Sequence, residues 1–279
     1  MSDRAQTLRR FARHRTGVAG SLVLAAFLLI ALVGPLVVPP RGLQPDFRAV
    51  LQPPSVAHWF GTDELGRDVL ARVVQGARIS LGLVIAAVAV ALLAGGGLGL
   101  WAGYRGGLVE QIMLRAIDVL LALPGFLVAL VTITILGVGT MNLVVAVAVY
   151  SMPTFARVAH AASLTLRSSG FVQAAHAQGA SDLRVMTHHV LPNALSPLIV
   201  QASLRMATAL LLASSLSFLG LGVQPPAPEW GAMLANGRSY LATSTHVVFF
   251  PGLAIMLVTL AFNLVGDGLR DLLDPRRAD

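Results

Sequence analysis

The chain has 279 residues, 56% of them hydrophobic and only 12% charged, with a net charge of +7 and a mean hydropathy of +0.75. So few polar residues cannot cover a soluble domain of this size, so the composition requires a multi-span membrane protein. Cysteine is absent, which excludes disulfides and thiolate metal sites, and all 20 basic residues are arginine, which excludes a Walker-type phosphate loop because that loop needs a lysine.

Six apolar runs approach the ~20 residues that a spanning helix needs: 18–38, 79–103, 117–137, 141–158, 196–221 and 247–266. The first follows Arg4, Arg9, Arg10, Arg13 and Arg15. It is too long for a signal h-region and has no small-x-small cleavage site, so it reads as an uncleaved anchor. With the amino terminus inside, the segments 1–16, 104–116, 157–195 and 267–279 hold 13 arginines, and the outer segments hold six. That bias predicts both termini on the cytoplasmic side and argues against a nucleic-acid patch. It also predicts that Asp63, Arg67 and Glu229 are extracytoplasmic and that Gln173, Asp182 and Asp271 are cytoplasmic.

The sequence therefore divides into a tail (1–16), a first transmembrane helix (17–38), an outer segment (39–78), a transmembrane core (79–266) and a second tail (267–279). The outer segment is proline-rich and then amphipathic (VLARVVQGARISL), which predicts short helices along the membrane surface. Within the core, Gly95, Gly99 and Gly103 recur every fourth residue, the small-residue stripe of close helix packing in lipid. Pro124–Gly125 and Pro251–Gly252 predict kinks in the third and sixth spans. The fifth span is the most polar. It carries Gln201, Ser203, Arg205, Thr208, Ser214 and Ser217, which makes it the best candidate for a pathway. Arg205 is the arginine well inside a span, where a charge usually faces a cavity or a partner. About two turns from the inner end, it has snorkelling to the interface as its alternative. A later outer loop, VQPPAPEWGAML, has prolines that prevent a long helix, and its Trp230 suits a membrane interface.

The cytoplasmic stretch 159–195 contains the segment VQAAHAQGASDLRVMTHHVLPN. Phe171 to Ala177 lacks helix breakers, Gly179 suits a left-handed cap, and Ser181 suits the start of a second helix. That helix is expected to end before Pro192. Ala174 and Ala175 leave one face thin enough for another surface to approach the backbone. A docking surface fits this pattern better than chemistry. His188 and His189 are adjacent and diverge by about 100° on a helix, His160 and His176 have no H-E-x-x-H pairing, and no G-x-S-x-G elbow is present.

The same segment resembles the EAA motif of ABC importer permeases, with Gln173, Ala174, Ala175, Gly179, Leu191 and Pro192 at the motif's spacing. The stretches HWFGTDELGRDVLARVVQGARISL (58–81), SFLGLGVQPPAPEWGAML (217–234) and NLVGDGLRDLLDPR (263–276) are similar to the dipeptide/oligopeptide/nickel permease family, and within it to the subunit of the second type. The likeness covers nearly the whole chain after residue 10.

The resemblance implies an all-α, six-helix inner-membrane permease of the type I ABC importer fold. It implies four kinds of partner besides membrane lipid: a second, related permease subunit, two cytoplasmic ATPase subunits and an extracytoplasmic solute-binding protein. ATP would be bound by those partners, and this chain itself would hold no cofactor, metal or catalytic residue. Gln173, Ala174, Ala175, Gly179, Asp182, Leu191 and Pro192 would couple to the ATPase. Gln201, Arg205, Thr208, Ser214 and Ser217 are pathway candidates, and Asp63, Arg67, Asp68, Glu229 and Trp230 are candidates for contact with the binding protein.

Two positions depart from the family pattern. Gln173 replaces the motif's glutamate with an amide that hydrogen-bonds without an ion pair. Ala213 stands where members often carry an acidic residue. The expected cargo is a di- or oligopeptide, with nickel or another small solute as the alternative. A channel or an intramembrane enzyme is the alternative from another class. The coupling segment argues against the first, and the lack of a nucleophile–base set argues against the second.

Overall fold

A computed structural model describes residues 14–38 and 40–273. The expectations for the ends of both tails (1–13 and 274–279) lie outside the described residues. Helix α1 is Arg15–Val37. Helix α2, Val69–Ala91, runs through a π turn at Leu92–Gly96 into α3, Gly97–Arg105. Helices α4 (Gly107–Ala122) and α5 (Gly125–Leu136) meet at a 97° bend, and α6 is Thr140–Arg167. Then come α7 (Gly170–Ala177), α8 (Asp182–Val185), a π turn at Met186–Val190 and α9 (Leu191–Phe218). Helices α10 (Trp230–Gly237) and α11 (His246–Leu273) complete the order.

Among the described residues five helices are long and apolar enough to span a membrane, and the bent α4–α5 pair makes a sixth if it counts as one broken span. A contact between the chain ends decides the count. His14, which caps α1, lies 3.1 Å from Asp271 near the end of α11. Two groups in contact lie on one side of the bilayer, so the number of crossings is even. Six crossings meet that condition.

Three expectations about elements change. The break at Pro124–Gly125 is sharper than a kink: Leu123 and Pro124 both take extended ψ angles of 143° and 121°, so two helices meet rather than one bending. Pro251–Gly252, in contrast, lies within the unbroken α11. The amphipathic start at residues 69–78 does not lie on the surface. It is the first part of a 37-residue helix, Val69–Arg105, about 55 Å long against a hydrocarbon core of about 30 Å. This end packs against the loop before α2 and the start of α10.

The glycine stripe explains how α3 crosses α6. A Cβ on Gly95, Gly99 or Gly103 would strike the carbonyls of Met152, Ala156 and His160 in turn. Both partners step by one helical turn, so backbone meets backbone along the whole crossing, and dispersion rather than hydrophobic transfer holds it in lipid.

Candidate functional site

The knuckle formed by residues 170–193 folds as its residues predict up to Gly179. At the end of α7, Gly179 takes φ +83°. Its N–H donates to the His176 carbonyl at 2.9 Å, and the Ala180 N–H donates to the Ala175 carbonyl at 3.1 Å. This double closure is the Schellman cap, which needs the left-handed angle that glycine adopts without strain. Ser181 stands at the N-cap of α8, but its side chain makes no capping bond. Nor does Pro192 end the second helix. The π turn before it shifts the Leu191 N–H to the Met186 carbonyl, a wider loop that makes room for the proline ring in the first turn of α9. The Asn193 amide caps the His189 carbonyl at 2.6 Å.

The knuckle has an inner and an outer face. Val172, Val185 and Val190 are buried against the bundle, while Gln173, Ala174, Gly179, Asp182, Leu191 and Pro192 are exposed and Ala175 is half-buried. Gln173 reaches only the Ser168 carbonyl, at 3.3 Å. The knuckle is pinned by Tyr104, at the C-terminal end of α3. Its hydroxyl donates to Asp182 Oδ1 at 3.0 Å and accepts from His176 Nε2 at 2.9 Å. Because the single hydroxyl proton goes to the carboxylate, His176 must carry its own on Nε2. Tyr104, Arg105, Arg167, His176 and Asp182 line a polar cavity of about 390 Å³ beneath the knuckle.

The sequence treats the three histidines of the segment alike, and the structure separates them. His176 is a tether. His188 meets its own neighbour Thr187 at 2.8 Å, and His189 lies near the Phe171 ring. Tyr104 is missed from sequence because it sits 72 residues from His176 and 78 from Asp182, with no local pattern to mark it.

At the Val69 end of the long helix the charged groups are buried within the subunit. Asp63, Arg67, Glu229 and Trp230 are expected to contact a partner, yet their exposures are 3%, 5%, 1% and 0%. Asp63 Oδ2 accepts from Arg67 Nε at 2.7 Å and lies 3.3 Å from Arg72 Nε, and its Oδ1 accepts from the Leu65 and Arg67 N–H groups at 2.9 Å. Glu64 holds the other side of the Arg67 guanidinium at 3.0 Å. Asp68 caps α2 through the Ala71 N–H at 2.9 Å and meets His58 at 2.9 Å. Glu229 caps α10, accepting from the Gly231 and Ala232 N–H groups at 3.0 and 2.8 Å and from the Ser80 hydroxyl at 3.3 Å.

Burial pushes the Glu229 carboxyl above its ordinary value, with the two backbone bonds opposing the shift. Trp230 donates to the Val73 carbonyl at 3.0 Å and packs edge-on against Phe27, so it lies inside the fold rather than at a lipid interface. These charges satisfy one another. An isolated motif does not reveal that, because the pairs form only when α2, α10 and the loop before α2 come together.

The five pathway candidates divide. Arg205 lines a cavity of about 210 Å³ with Tyr150 and Thr154. Ser214 borders a separate, mostly apolar cavity of about 470 Å³ with Phe126, Leu234 and Ile255. Ser217 is buried under Gly222. Thr208 is exposed and bonds back to the Arg205 carbonyl at 3.1 Å, and Gln201 is half-buried. Tyr150 and Thr154 carried no signal in sequence.

Residues 95–279 match the family described as binding-protein-dependent transport system inner membrane component. Residues 3–54 match the N-terminal TM domain of oligopeptide transport permease C. The chain is 42% identical over 271 residues to the dipeptide transport system permease protein DppC of Alkalihalophilus pseudofirmus, covering 97% of this chain and 89% of that one. It is 44% identical over 269 residues to the glutathione transport system permease protein GsiD of Pectobacterium atrosepticum, covering 96% and 89%. Among solved structures, the inward-facing MetNI methionine ABC transporter superposes with a TM-score of 0.56 at 20% identity, over 74% of this chain and 98% of that chain. That likeness speaks to the fold.

Proposed function

Because the chain belongs to the family of binding-protein-dependent transport system inner membrane components, as a multi-pass permease of an ABC importer rather than an enzyme, we propose that it forms half of a peptide translocation pathway. The other half is a second, related permease. Two cytoplasmic ATPases supply the energy and an extracytoplasmic binding protein delivers the cargo. The cargo is a di- or oligopeptide, a reading supported by the dipeptide and glutathione permeases among its relatives. Both termini face the cytoplasm, residues 79–266 form the transmembrane core, and the segment 159–195 couples to an ATPase.

The observation that carries the coupling reading is the two-faced knuckle. Its buried valines and the Tyr104 tether fasten one face to the bundle, while Gln173, Ala174 and Gly179 are exposed on the other. A partner that pushes on this exposed face moves α6 and α9 together, because the knuckle is the connection between them.

Gly179→Val tests the reading. The space around Gly179 is open, with nothing within 4 Å of an added Cβ, so the damage inside the subunit is limited to the left-handed backbone angle, about 1 kcal/mol or more. The variant is expected to insert and fold in the membrane, lose ATPase association in a pull-down and lose uptake of labelled tri-alanine. His188→Asn keeps both. If Gly179→Val retains ATPase binding and transport, the knuckle is not the coupling surface. Uptake of nickel in place of tri-alanine would move the cargo reading to its alternative.

A further inference from the structure

Two arginines on the long helices have opposite surroundings. Arg72 on α2 is neutralised by Asp63 at 3.3 Å. Arg205 on α9 has no carboxylate within ion-pair distance among the described residues. It lies about 18 Å along the helix from Asn193 and about 20 Å from Phe218 at 1.5 Å per residue, well inside the apolar run. Its Nη2 donates to the Thr154 hydroxyl at 2.5 Å and its Nη1 to the Tyr150 hydroxyl at 3.4 Å. The guanidinium carbon stands 5.6 Å from the centre of the Tyr150 ring, and Nε is buried without a partner. Hydroxyls orient a cation but do not neutralise it, and a charge at this depth is retained only where something uses it.

The cavity it faces lies at the α4–α5 break. Leu121, Leu123, Val128 and Pro153 make apolar walls, and Gly125, the first residue of α5, closes one side. A Cβ at Gly125 would overlap the Tyr150 ring, so the glycine is what admits the tyrosine to its place beside Arg205. A helix broken at membrane depth leaves backbone groups that must line protein or a wet cavity, and the amino-terminal end of the twelve-residue α5 adds positive potential to the same space.

We propose that this cavity is an anion station on the translocation pathway, where Arg205, oriented by Tyr150 and Thr154, takes the terminal carboxylate of a peptide in transit. The inference rests on the peptide-importer reading above. A guanidinium offers a carboxylate two parallel donors, and Arg205 Nε has no hydrogen bond of its own among the described residues. At about 210 Å³ the cavity is smaller than the roughly 300–1,000 Å³ that enclose a whole small ligand. It therefore fits the end of a chain, with the apolar walls receiving the last side chain.

The test uses the complete transporter in proteoliposomes, with Val149→Cys as a reporter in this cysteine-free chain. Adducts on the chain are measured by mass spectrometry with two thiol probes, the anionic methanethiosulfonate ethylsulfonate and its cationic trimethylammonium counterpart. After correction for their rates with a free thiol, the anion is expected to react about tenfold faster. Arg205→Gln brings the ratio near one and Arg205→Lys keeps it, each read only on assembled complex. Tri-alanine during turnover slows the anionic probe, and tri-alanine amide does not.

Equal rates, a preference that survives Arg205→Gln, or no reaction with either probe overturns the anion station. If tri-alanine is transported without slowing the probe, the station is wrong while the importer reading stands. If the charge preference holds but no tri-alanine is taken up, the cargo reading fails and the peptide carboxylate with it. If phosphatidylcholine vesicles in place of phosphatidylglycerol abolish an occupancy that peptide does not affect, the occupant is a net-anionic lipid headgroup and the proposal falls.

Discussion

The cap around the start of α2 and α10 and the knuckle between α6 and α9 are both polar segments joining apolar spans, yet they solve opposite problems. In the cap, Asp63, Arg67, Arg72 and Glu229 are each at most 5% exposed and meet one another or backbone donors. In the knuckle, Gln173, Ala174, Asp182 and Gly179 are exposed, and buried valines with one tyrosine hydroxyl do the fastening. The cap uses its polar groups internally and so holds the start of α2 and of α10 together. The knuckle leaves its groups available to another surface. Polar residues in a membrane protein therefore do not signal function by their chemistry alone. Whether their partners lie inside the subunit separates the two roles.

The largest effect is expected from Asp63→Ala. Removing this carboxylate strands Arg72 in a buried site and leaves Arg67 with Glu64 alone, and breaking a buried pair in this way costs about 3–5 kcal/mol. The thermal midpoint and yield of the purified subunit should drop sharply, with ATPase association per folded molecule unchanged. A midpoint equal to wild type would mean that the cap is not self-contained.

Glu229 gives a pH signature to the same region. Its folded pKa is raised, chiefly by burial, so the folded state holds the proton more tightly than the unfolded chain. Its stabilisation is fully present below the unfolded value of about 4.3 and is lost as pH rises through the raised folded value. Wild type should lose stability relative to Glu229→Gln across that window, measured as thermal midpoints at a series of pH values. Parallel pH profiles would place Glu229 in contact with water.

The smallest effect on stability, and the sharpest on function, is expected at the knuckle. Tyr104→Phe removes two hydrogen bonds of about 0.5–1.5 kcal/mol each, at a site open to the cytoplasmic cavity. The thermal midpoint should move by only a few degrees, while ATPase affinity falls roughly fivefold to thirtyfold. A large loss of stability without a change in ATPase affinity would make the knuckle a second cap and erase the contrast.

Much was legible in the sequence because it depends on local patterns. Apolar length and arginine placement give the spans, the four-residue glycine period gives the α3–α6 crossing, and Gly179 gives the turn of the knuckle through its backbone freedom. The bend at Pro124 was visible as a position but not as a 97° angle, since the angle depends on what packs against both arms. Residues 69–78 were misread because an amphipathic pattern looks the same whether its polar side meets water or a folded loop. Pro192 was read as a helix end because the π turn that accommodates it leaves no mark in composition.

What the sequence alone determined is therefore the membrane class, the span pattern and the turn of the knuckle, which depend on composition and on patterns contiguous along the chain. The tertiary structure alone decided which polar groups are spent and which are free. Asp63 and Arg72 satisfy each other, His176 and Asp182 meet on Tyr104 from more than 70 residues away, and Arg205 faces Tyr150 and Thr154 across a cavity without a counter-charge. The physical reason is that a side chain's charge is a local property, whereas its neutralisation depends on distance in space, which helix packing sets.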